Sequence, residues 1–180
     1  MELTAKELWT VVHGMVLGSI YLLAFTGGLV DLWNLKPSML TKTGFQTDLR
    51  TLRVGIWIMA IISWLTVITG TYIVYPWYNE GPRNFLLSHP KLIGWETFGM
   101  EWKILMGFVS PILMTSVGFI VTYYRNELLH RPALRNILLT LFLISFITAA
   151  IAALFGTFIT KIAPIDLGDY IWTPKNMIAH

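Results

Sequence analysis

Residues 136 to 160 read NILLTLFLISFITAAIAALFGTFIT, a run of 25 residues without a charged side chain. An α-helix rises about 1.5 Å per residue, so a helix of this length extends about 38 Å. That length exceeds the hydrocarbon core of a bilayer, which is about 30 Å thick. This stretch alone therefore predicts a membrane-spanning helix.

Three further stretches of similar length also lack charged residues. They are Leu8–Val30, Val54–Asn79 and Ile104–Tyr124. We expect Pro76 to end the second helix, because proline supplies no backbone donor and clashes with the preceding turn. The predicted spans are residues 8–30, 54–77, 104–124 and 136–160, followed by a tail over residues 162–180. The sequence thus predicts an all-α polytopic membrane protein, with residues 1–180 forming a single integral-membrane domain, a bundle of four transmembrane helices.

The composition supports this class and excludes several others. The chain of 180 residues is 55% hydrophobic and only 13% charged, which a soluble globular domain does not show. It contains no cysteine, so disulfides, thiolate metal sites, iron-sulfur clusters and covalently attached haem are excluded. The net charge of +3 is spread over short segments between the spans without a basic run, so we expect no nucleic-acid partner.

Four spans place both termini and the second loop on one face of the membrane. Seven of the 13 Lys and Arg residues lie in the first and third loops, and six lie on the other face. Since positively charged loops favour the cytoplasm, this small difference predicts that both termini are outside. We expect a bacterial inner or photosynthetic membrane, with membrane lipids and other integral-membrane subunits as partners.

Small residues at helical spacing mark the faces on which the spans are expected to pack. In lipid, association depends on close backbone approach, which glycine and alanine allow. The predicted packing residues are Gly14 and Gly18 on the first helix, Gly107, Pro111, Met114 and Gly118 on the third, and Ala149, Ala152, Ala153 and Gly156 on the fourth. Pro111 is also expected to kink the third helix and to release a backbone carbonyl.

A short internal repeat relates the two halves of the chain. Gly14-Met15 recurs as Gly99-Met100, and Gly70–Ile73 recurs as Gly156–Ile159, at offsets of 85 and 86 residues. If this pattern records a duplication, the protein consists of two duplicated helical hairpins related by an axis along the membrane normal. The alternative is coincidence in an apolar chain.

His13 is the only ionisable side chain with a charge near neutral pH inside a predicted span. It lies about 8 Å along the helix from Leu8, and such residues are costly to bury in a membrane. The candidate site residues at the same end are Met100, Glu101 and Met106 of the third helix and Tyr72 and Tyr75 of the second. We therefore predict a cofactor site there for a b-type haem or a quinone.

The two cofactors require different partners for His13. A haem would use His13 as metal ligand, with Met106 or Met100 as the second axial ligand. Against haem, the position that the repeat matches to His13 is Phe98, so a second histidine is missing. A quinone requires only hydrogen-bonding groups, which His13, Glu101 and a tyrosine supply. The plainer interpretation is that His13 bonds a neighbouring helix, while Glu101 and Lys103 reach water or pair with each other.

Two functions follow from these patterns. The first is a small integral-membrane subunit of a larger respiratory or photosynthetic redox complex, holding a b-type haem or a quinone near the outer face through His13. The alternative is a non-catalytic accessory subunit that stabilises a membrane assembly. The sequence has no phosphate-binding loop, HExxH motif or nucleophile elbow, so hydrolase and nucleotide-driven mechanisms are not expected. Whether the chain is an enzyme stays open, with electron transfer or a non-catalytic role favoured.

Overall fold

The structure, a computed structural model, describes residues 4–34 and 42–163, which are helical nearly throughout. The α-helices are α1 (Ala5–Val11), α2 (Leu17–Asn34), α3 (Lys42–Thr69), α4 (Tyr75–Glu80), α5 (Pro82–Ser88), α6 (Glu101–Tyr123) and α7 (Pro132–Ile162). Three π-helical segments join or precede them: π1 (Val12–Val16), π2 (Gly70–Val74) and π3 (Trp95–Met100). A short 3-10 turn over Glu127–Leu129 links α6 and α7. The predicted all-α fold is confirmed.

Four helices are long and apolar enough to cross a membrane. They are the first span (Ala5–Trp33), the second (Leu49–Glu80), the third (Trp95–Tyr123) and the fourth (Pro132–Ile162). These ranges contain every residue of the four predicted spans except Tyr124. At most ends the observed helices are longer than predicted. The tail over residues 162–180 lies almost wholly outside the described residues, as does Pro164.

The helix starts follow from local chemistry. Thr4 and Glu7 form a capping box, in which Thr4 Oγ1 accepts from the Glu7 amide and Glu7 Oε2 accepts from the Thr4 amide, at 3.2 and 2.9 Å. Helix α7 begins with Pro132 at its first position, where the missing amide proton would have no helical partner anyway. These caps fix where the first and fourth spans begin.

Two predicted boundaries are wrong. The second helix does not end at Pro76 but continues to Glu80, because Pro76 falls in the first turn of α4, directly after π2. A missing backbone donor is tolerated in a first turn. The third span begins at Trp95 rather than at Ile104, and it includes Glu96, Glu101 and Lys103.

The four spans form a closed bundle in which neighbours along the chain are neighbours in space. Helix α2 packs on α3, α3 on α6, α6 on α7, and α7 returns to α2. The main core lies between them and is built from apolar side chains of all four spans. Its fully buried members include Leu52, Ile56, Met59, Met114, Val117, Leu138 and Phe142. A second cluster, the α5-end cluster, contains Tyr78, Leu86, Met100, Ile159 and Ala163.

The outer surface of the bundle is apolar on every span. Large exposed side chains include Met15, Leu23, Ile61, Leu105, Ile112, Ile147 and Leu154. Since a soluble protein would not expose so much apolar surface, this surface contacts lipid. The chain is an integral membrane protein.

The predicted packing faces have different outcomes. Pro111, Met114 and Gly118 are buried, and Gly107 lies opposite Ala152, so the face predicted on the third helix packs in the bundle. By contrast, nothing lies within 4 Å of the position that a Cβ atom would occupy on Gly14 or Gly18. Within the described chain this glycine pair faces outward, and the expectation that it packs inside the bundle is wrong.

Candidate functional site

All three π-helical segments lie at one end of the bundle, which we call the α5 end. At this end the first and third spans begin and the second and fourth spans end, and α5 lies in the connection between the second and third spans. A π-helical turn inserts one extra residue into an α-helix and frequently occurs at functional sites. The predicted site at His13 lies at this end, within π1.

The first feature of the site is a hydrogen bond between His13 and the second span. His13 Nδ1 lies 3.0 Å from Thr69 Oγ1. The Thr69 hydroxyl donates its single proton to the backbone carbonyl of Leu65, at 2.8 Å, with the Thr66 carbonyl at 3.2 Å. With the hydroxyl proton on a backbone carbonyl, Thr69 Oγ1 accepts from His13, and this network assigns the imidazole proton to Nδ1. In the neutral ring Nε2 then holds a free lone pair.

The imidazole of His13 packs directly against Gly70, which has no side chain. A Cβ atom on Gly70 would lie 2.8 Å from His13 Cε1 and 3.3 Å from Nε2. Such distances are too short for ordinary contacts, so a larger residue here would displace the ring. The absence of a side chain at Gly70 thus allows His13 to approach the backbone of π2.

Lys103 is the second polar residue of the site. It is half-buried, and its charge acts on the imidazole of His13. Its side chain packs on Gly156 of the fourth span, where a Cβ atom would lie 3.2 Å from Lys103 Cε and 3.7 Å from Nζ. His13 of the first span therefore lies against a glycine of the second span, and Lys103 of the third span lies against a glycine of the fourth.

His13 and Lys103 lie at the same depth in the bundle. Each is eight residues into a span of 29 residues, so each lies about 12 Å from the start of a helix about 43 Å long. A helix of that length centred on 30 Å of hydrocarbon extends about 7 Å beyond it at either end. In a bilayer centred on these spans, both Cα atoms would lie about 5 Å inside the hydrocarbon.

The expected pairing of Glu101 with Lys103 is not formed. In residues 4–34 and 42–163 the ion pairs join Lys6 to Glu80, Arg83 to Glu96 and Arg131 to Glu127. None involves Lys103 or Glu101. Glu101 is exposed, whereas Lys103 is turned into the bundle. The third span therefore brings a cation rather than the predicted carboxylate towards His13.

The other predicted site residues are spread over the α5 end. Tyr72 is 76% exposed, and Tyr75 stacks on Tyr78 with ring centroids 6.0 Å apart. Met100 is buried in the α5-end cluster, and Met106 is half-buried on α6. The structure thus groups His13 with Thr69, Gly70 and Lys103. Of these partners, Gly70 has a sequence signal, since it opens the repeated Gly-Thr segment.

The sequence did not indicate a second polar cluster nearer the surface. The Tyr78 hydroxyl donates to Glu96 Oε2, and Arg83 Nε donates to Glu96 Oε1 at 2.8 Å. The carboxylate is 11% exposed and ties α4, α5 and π3 together. The side-chain oxygen Oδ1 of Asn79, the residue after Tyr78, is buried and finds no hydrogen-bond donor in the described part of the chain.

The corresponding positions of the two hairpins differ in chemistry. At the offsets of the repeat, His13 matches Phe98 and Thr69 matches Phe155. Those two rings contact each other, with centroids 6.2 Å apart. Where the first hairpin has a hydrogen bond, the second has an aromatic contact, so only the first hairpin presents a histidine.

The donor set decides which ligands fit this site. Among residues 4–34 and 42–163, no three His, Asp or Glu side chains gather to hold a metal ion. The site instead offers one proton acceptor, His13 Nε2, and one cationic donor, Lys103 Nζ. Such a pair can bind a small oxygen-bearing headgroup. Comparisons with protein families, with curated proteins and with solved structures found no match for the chain.

Proposed function

We propose that the chain is a small integral-membrane subunit of a redox complex and binds the headgroup of a membrane quinone at the α5 end through His13. The observation that carries this proposal is the His13–Thr69 hydrogen bond, because it holds the proton on Nδ1 and leaves Nε2 free. Quinones dissolve in hydrocarbon and expose polar oxygens at one end. A polar group about 5 Å inside the hydrocarbon matches that distribution.

His13 Nε2 has a defined role towards such a headgroup. In the neutral imidazole it accepts a hydrogen bond from a quinol hydroxyl, and in the protonated imidazole it donates one to a quinone carbonyl. Thr69 holds the ring so that Nε2, and not Nδ1, is the nitrogen available. The chain's own contribution is therefore to position the headgroup and to hold a proton at Nε2.

Haem fits the described residues less well than quinone. His13 is the only histidine within a span, and Met100, one of its two predicted axial partners, is buried among Tyr78, Leu86 and Ile159. The other, Met106, is half-buried, and the prediction of a b-type haem stays untested. An absorption spectrum distinguishes the two cofactors.

The test compares wild type with His13→Gln after purification from the native membrane. His130→Ala is the matched control, because His130 is exposed in the loop between α6 and α7. We expect the quinone extracted per mole of protein to fall about tenfold in His13→Gln, which is the effect of losing one strong hydrogen bond. The control should keep the wild-type content. Equal quinone in all three proteins would overturn the proposal, and a Soret band lost only in His13→Gln would assign haem instead.

The alternative function, an accessory subunit of a membrane assembly, is favoured by one observation. Gly14 and Gly18 form an outward face that no part of the described chain covers. Small residues allow a partner helix to approach closely. In the Gly14→Leu/Gly18→Leu double variant we expect partner subunits to be lost on purification. Gly27→Leu, which also meets nothing within 4 Å, should retain them. If both variants retain the partner subunits, the face formed by Gly14 and Gly18 is not where a partner helix binds.

A further inference from the structure

The Lys103 amine has no acidic partner among the described residues. No hydrogen bond or ion pair to its ammonium occurs in residues 4–34 and 42–163. Glu101, the nearest acid along the helix, is exposed. An unpaired cation inside the hydrocarbon is strongly unfavourable, and such residues face an interior site or pathway.

The side chain of Lys103 extends between the third and fourth spans. A lysine near a helix end normally extends its methylenes along the surface and places its ammonium in water. Here the last methylene and the ammonium lie on Gly156 of the neighbouring span. Gly156 is six residues before Ile162, about 9 Å from the end of the fourth span. The ammonium therefore lies between the third and fourth spans, about 3 Å nearer the α5 end than the Cα atom of His13.

We propose that Lys103 makes the α5-end site selective for an anionic oxygen headgroup, that is, for the deprotonated form of a quinol or hydroxyquinone. This inference rests on the proposed quinone site and names the charge state that the site binds. An ammonium that pairs with no carboxylate of residues 4–34 and 42–163 supplies both a charge and three donors to an anionic oxygen. His13 Nε2 contacts a second oxygen of the same headgroup.

The experiment compares two probes that differ mainly in charge. Naphthoquinone is neutral, whereas its derivative with a hydroxyl on the quinone ring is ionised at neutral pH. Affinities are measured by calorimetry on the full chain in mild detergent, together with any subunits that co-purify. In Lys103→Met we expect the affinity for the anionic probe to fall about tenfold or more, as for loss of a charge-assisted hydrogen bond. The affinity for the neutral probe should change less than about twofold.

Three further variants separate charge from structure. Lys103→Arg keeps the charge and should retain the preference for the anion. Lys103→Gln keeps a polar group without the charge and should lose the preference, which provides a test if Lys103→Met folds poorly. Lys161→Met removes an exposed lysine from the last turn of α7 at the same end and should behave as wild type.

Thermal unfolding without ligand supplies an independent readout. If Lys103 serves a ligand and not the fold, Lys103→Met should have a higher Tm than wild type, because an uncompensated cation has been removed. Addition of the anionic probe should raise the Tm of wild type and not that of Lys103→Met.

The outcomes distinguish the two proposals. Equal losses for both probes in Lys103→Met, or no loss for either, would overturn the role of Lys103 and leave the quinone site in place. A wild-type protein that binds neither probe would overturn the quinone site, and the inference with it. A selective loss for the anion supports both.

Discussion

Thr69 determines which nitrogen of His13 faces a ligand, because its own proton is committed to the Leu65 carbonyl. In Thr69→Val the helix keeps a β-branched residue but Nδ1 loses its acceptor. We expect the imidazole to populate both neutral tautomers and the quinone affinity to fall about fivefold, equivalent to about 1 kcal/mol. Nitrogen NMR of labelled histidine reports the tautomer, and calorimetry reports the affinity.

Thr66 provides the matched control for this change. Its hydroxyl also donates to a carbonyl one turn earlier, that of Ile62 at 2.9 Å, but His13 Nδ1 bonds the hydroxyl of Thr69 instead. Thr66→Val should therefore leave the tautomer and the affinity as in wild type. If Thr66→Val and Thr69→Val behave alike, the hydrogen bond does not orient the ring.

Gly70 controls the position of the same ring. In Gly70→Ala the new Cβ atom would lie 2.8 Å from His13 Cε1, so the imidazole has to move. We expect quinone binding to be lost and stability to fall by about 1–3 kcal/mol, as for other overpacked sites. Gly55→Ala on the same span meets nothing within 4 Å and should be neutral or slightly stabilising. Thermal unfolding in detergent compares the two, and a Gly70→Ala protein that binds quinone normally would contradict the site geometry.

At the residue scale, the sequence predicted the histidine but not its partners. His13 is recognisable because an ionisable residue in a charge-free span is rare. Glu101 and Lys103 are two positions apart and so project about 200° apart around a helix. Only one of them can face the bundle, and the helix phase that decides between them depends on packing with the other spans. The structure turns Lys103 inward and leaves Glu101 exposed.

At the scale of helices, the second and third spans are joined by two equivalent contacts. Trp57 Nε1 donates to Thr122 Oγ1, and Trp64 Nε1 donates to Thr115 Oγ1, both at 3.1 Å. The two tryptophans are seven residues apart, as are the two threonines, so the contacts repeat every two turns of an antiparallel pair. Each threonine also donates to the carbonyl four residues earlier. All four indole and hydroxyl groups are thus satisfied without water.

Gly118 allows this helix pair to approach. A Cβ atom there would lie 3.2–3.4 Å from three ring atoms of Trp57. Because an indole in a packed interface has little room to move, we expect Gly118→Ala to destabilise the protein by about 1–3 kcal/mol. In Gly107→Ala the new methyl would meet only the Ala152 Cβ at 3.9 Å, an ordinary contact. Unfolding in mixed micelles measures both, and equal stability of the two variants would contradict the role of Gly118.

At the scale of the whole molecule, three spans are joined near the membrane centre by buried hydroxyls. Tyr21 of the first span lies 3.3 Å from Ser110 Oγ and 3.2 Å from Ser145 Oγ. Ser145 also donates to the Ser110 carbonyl at 2.9 Å. The Ser145 hydroxyl of the fourth span thus satisfies the carbonyl of Ser110, the residue before Pro111. The carbonyl that loses its helical donor to this proline is that of Gly107, four positions earlier, and the Ser145 bond does not satisfy it. All three side chains are buried.

A double-mutant cycle measures this contact. We expect Tyr21→Phe and Ser145→Ala to be coupled by about 0.6 kcal/mol, the typical value for hydrogen bonds between membrane helices. Tyr21→Phe combined with Ser116→Ala should be additive, because Ser116 donates only within its own helix, to Ile112. Additivity in the first cycle would show that the hydroxyls contribute independently.

The number and order of the spans could be predicted from the sequence, because 20 or more uncharged residues have few alternatives to a membrane helix. The helix ends were predicted less well. Hydropathy does not distinguish the last apolar turn from an amphipathic one, so the predicted third span began at Ile104 and not at Trp95. The outward face of Gly14 and Gly18 was also missed, since small residues allow packing without specifying the partner. The predicted external location of the termini is not tested by the fold.

The three π-helical segments at the α5 end also affect how this protein tolerates changes in length. Each holds one residue more per turn than the helix it interrupts, so the part of the span beyond it is rotated by about 100° relative to an uninterrupted helix. Deleting a residue from Val12–Val16 would turn α1 around its axis while the core contacts of α2 stayed in phase. We therefore expect the loss of one residue within these segments to disturb the packing of the bundle less than the same loss within α2 or α6.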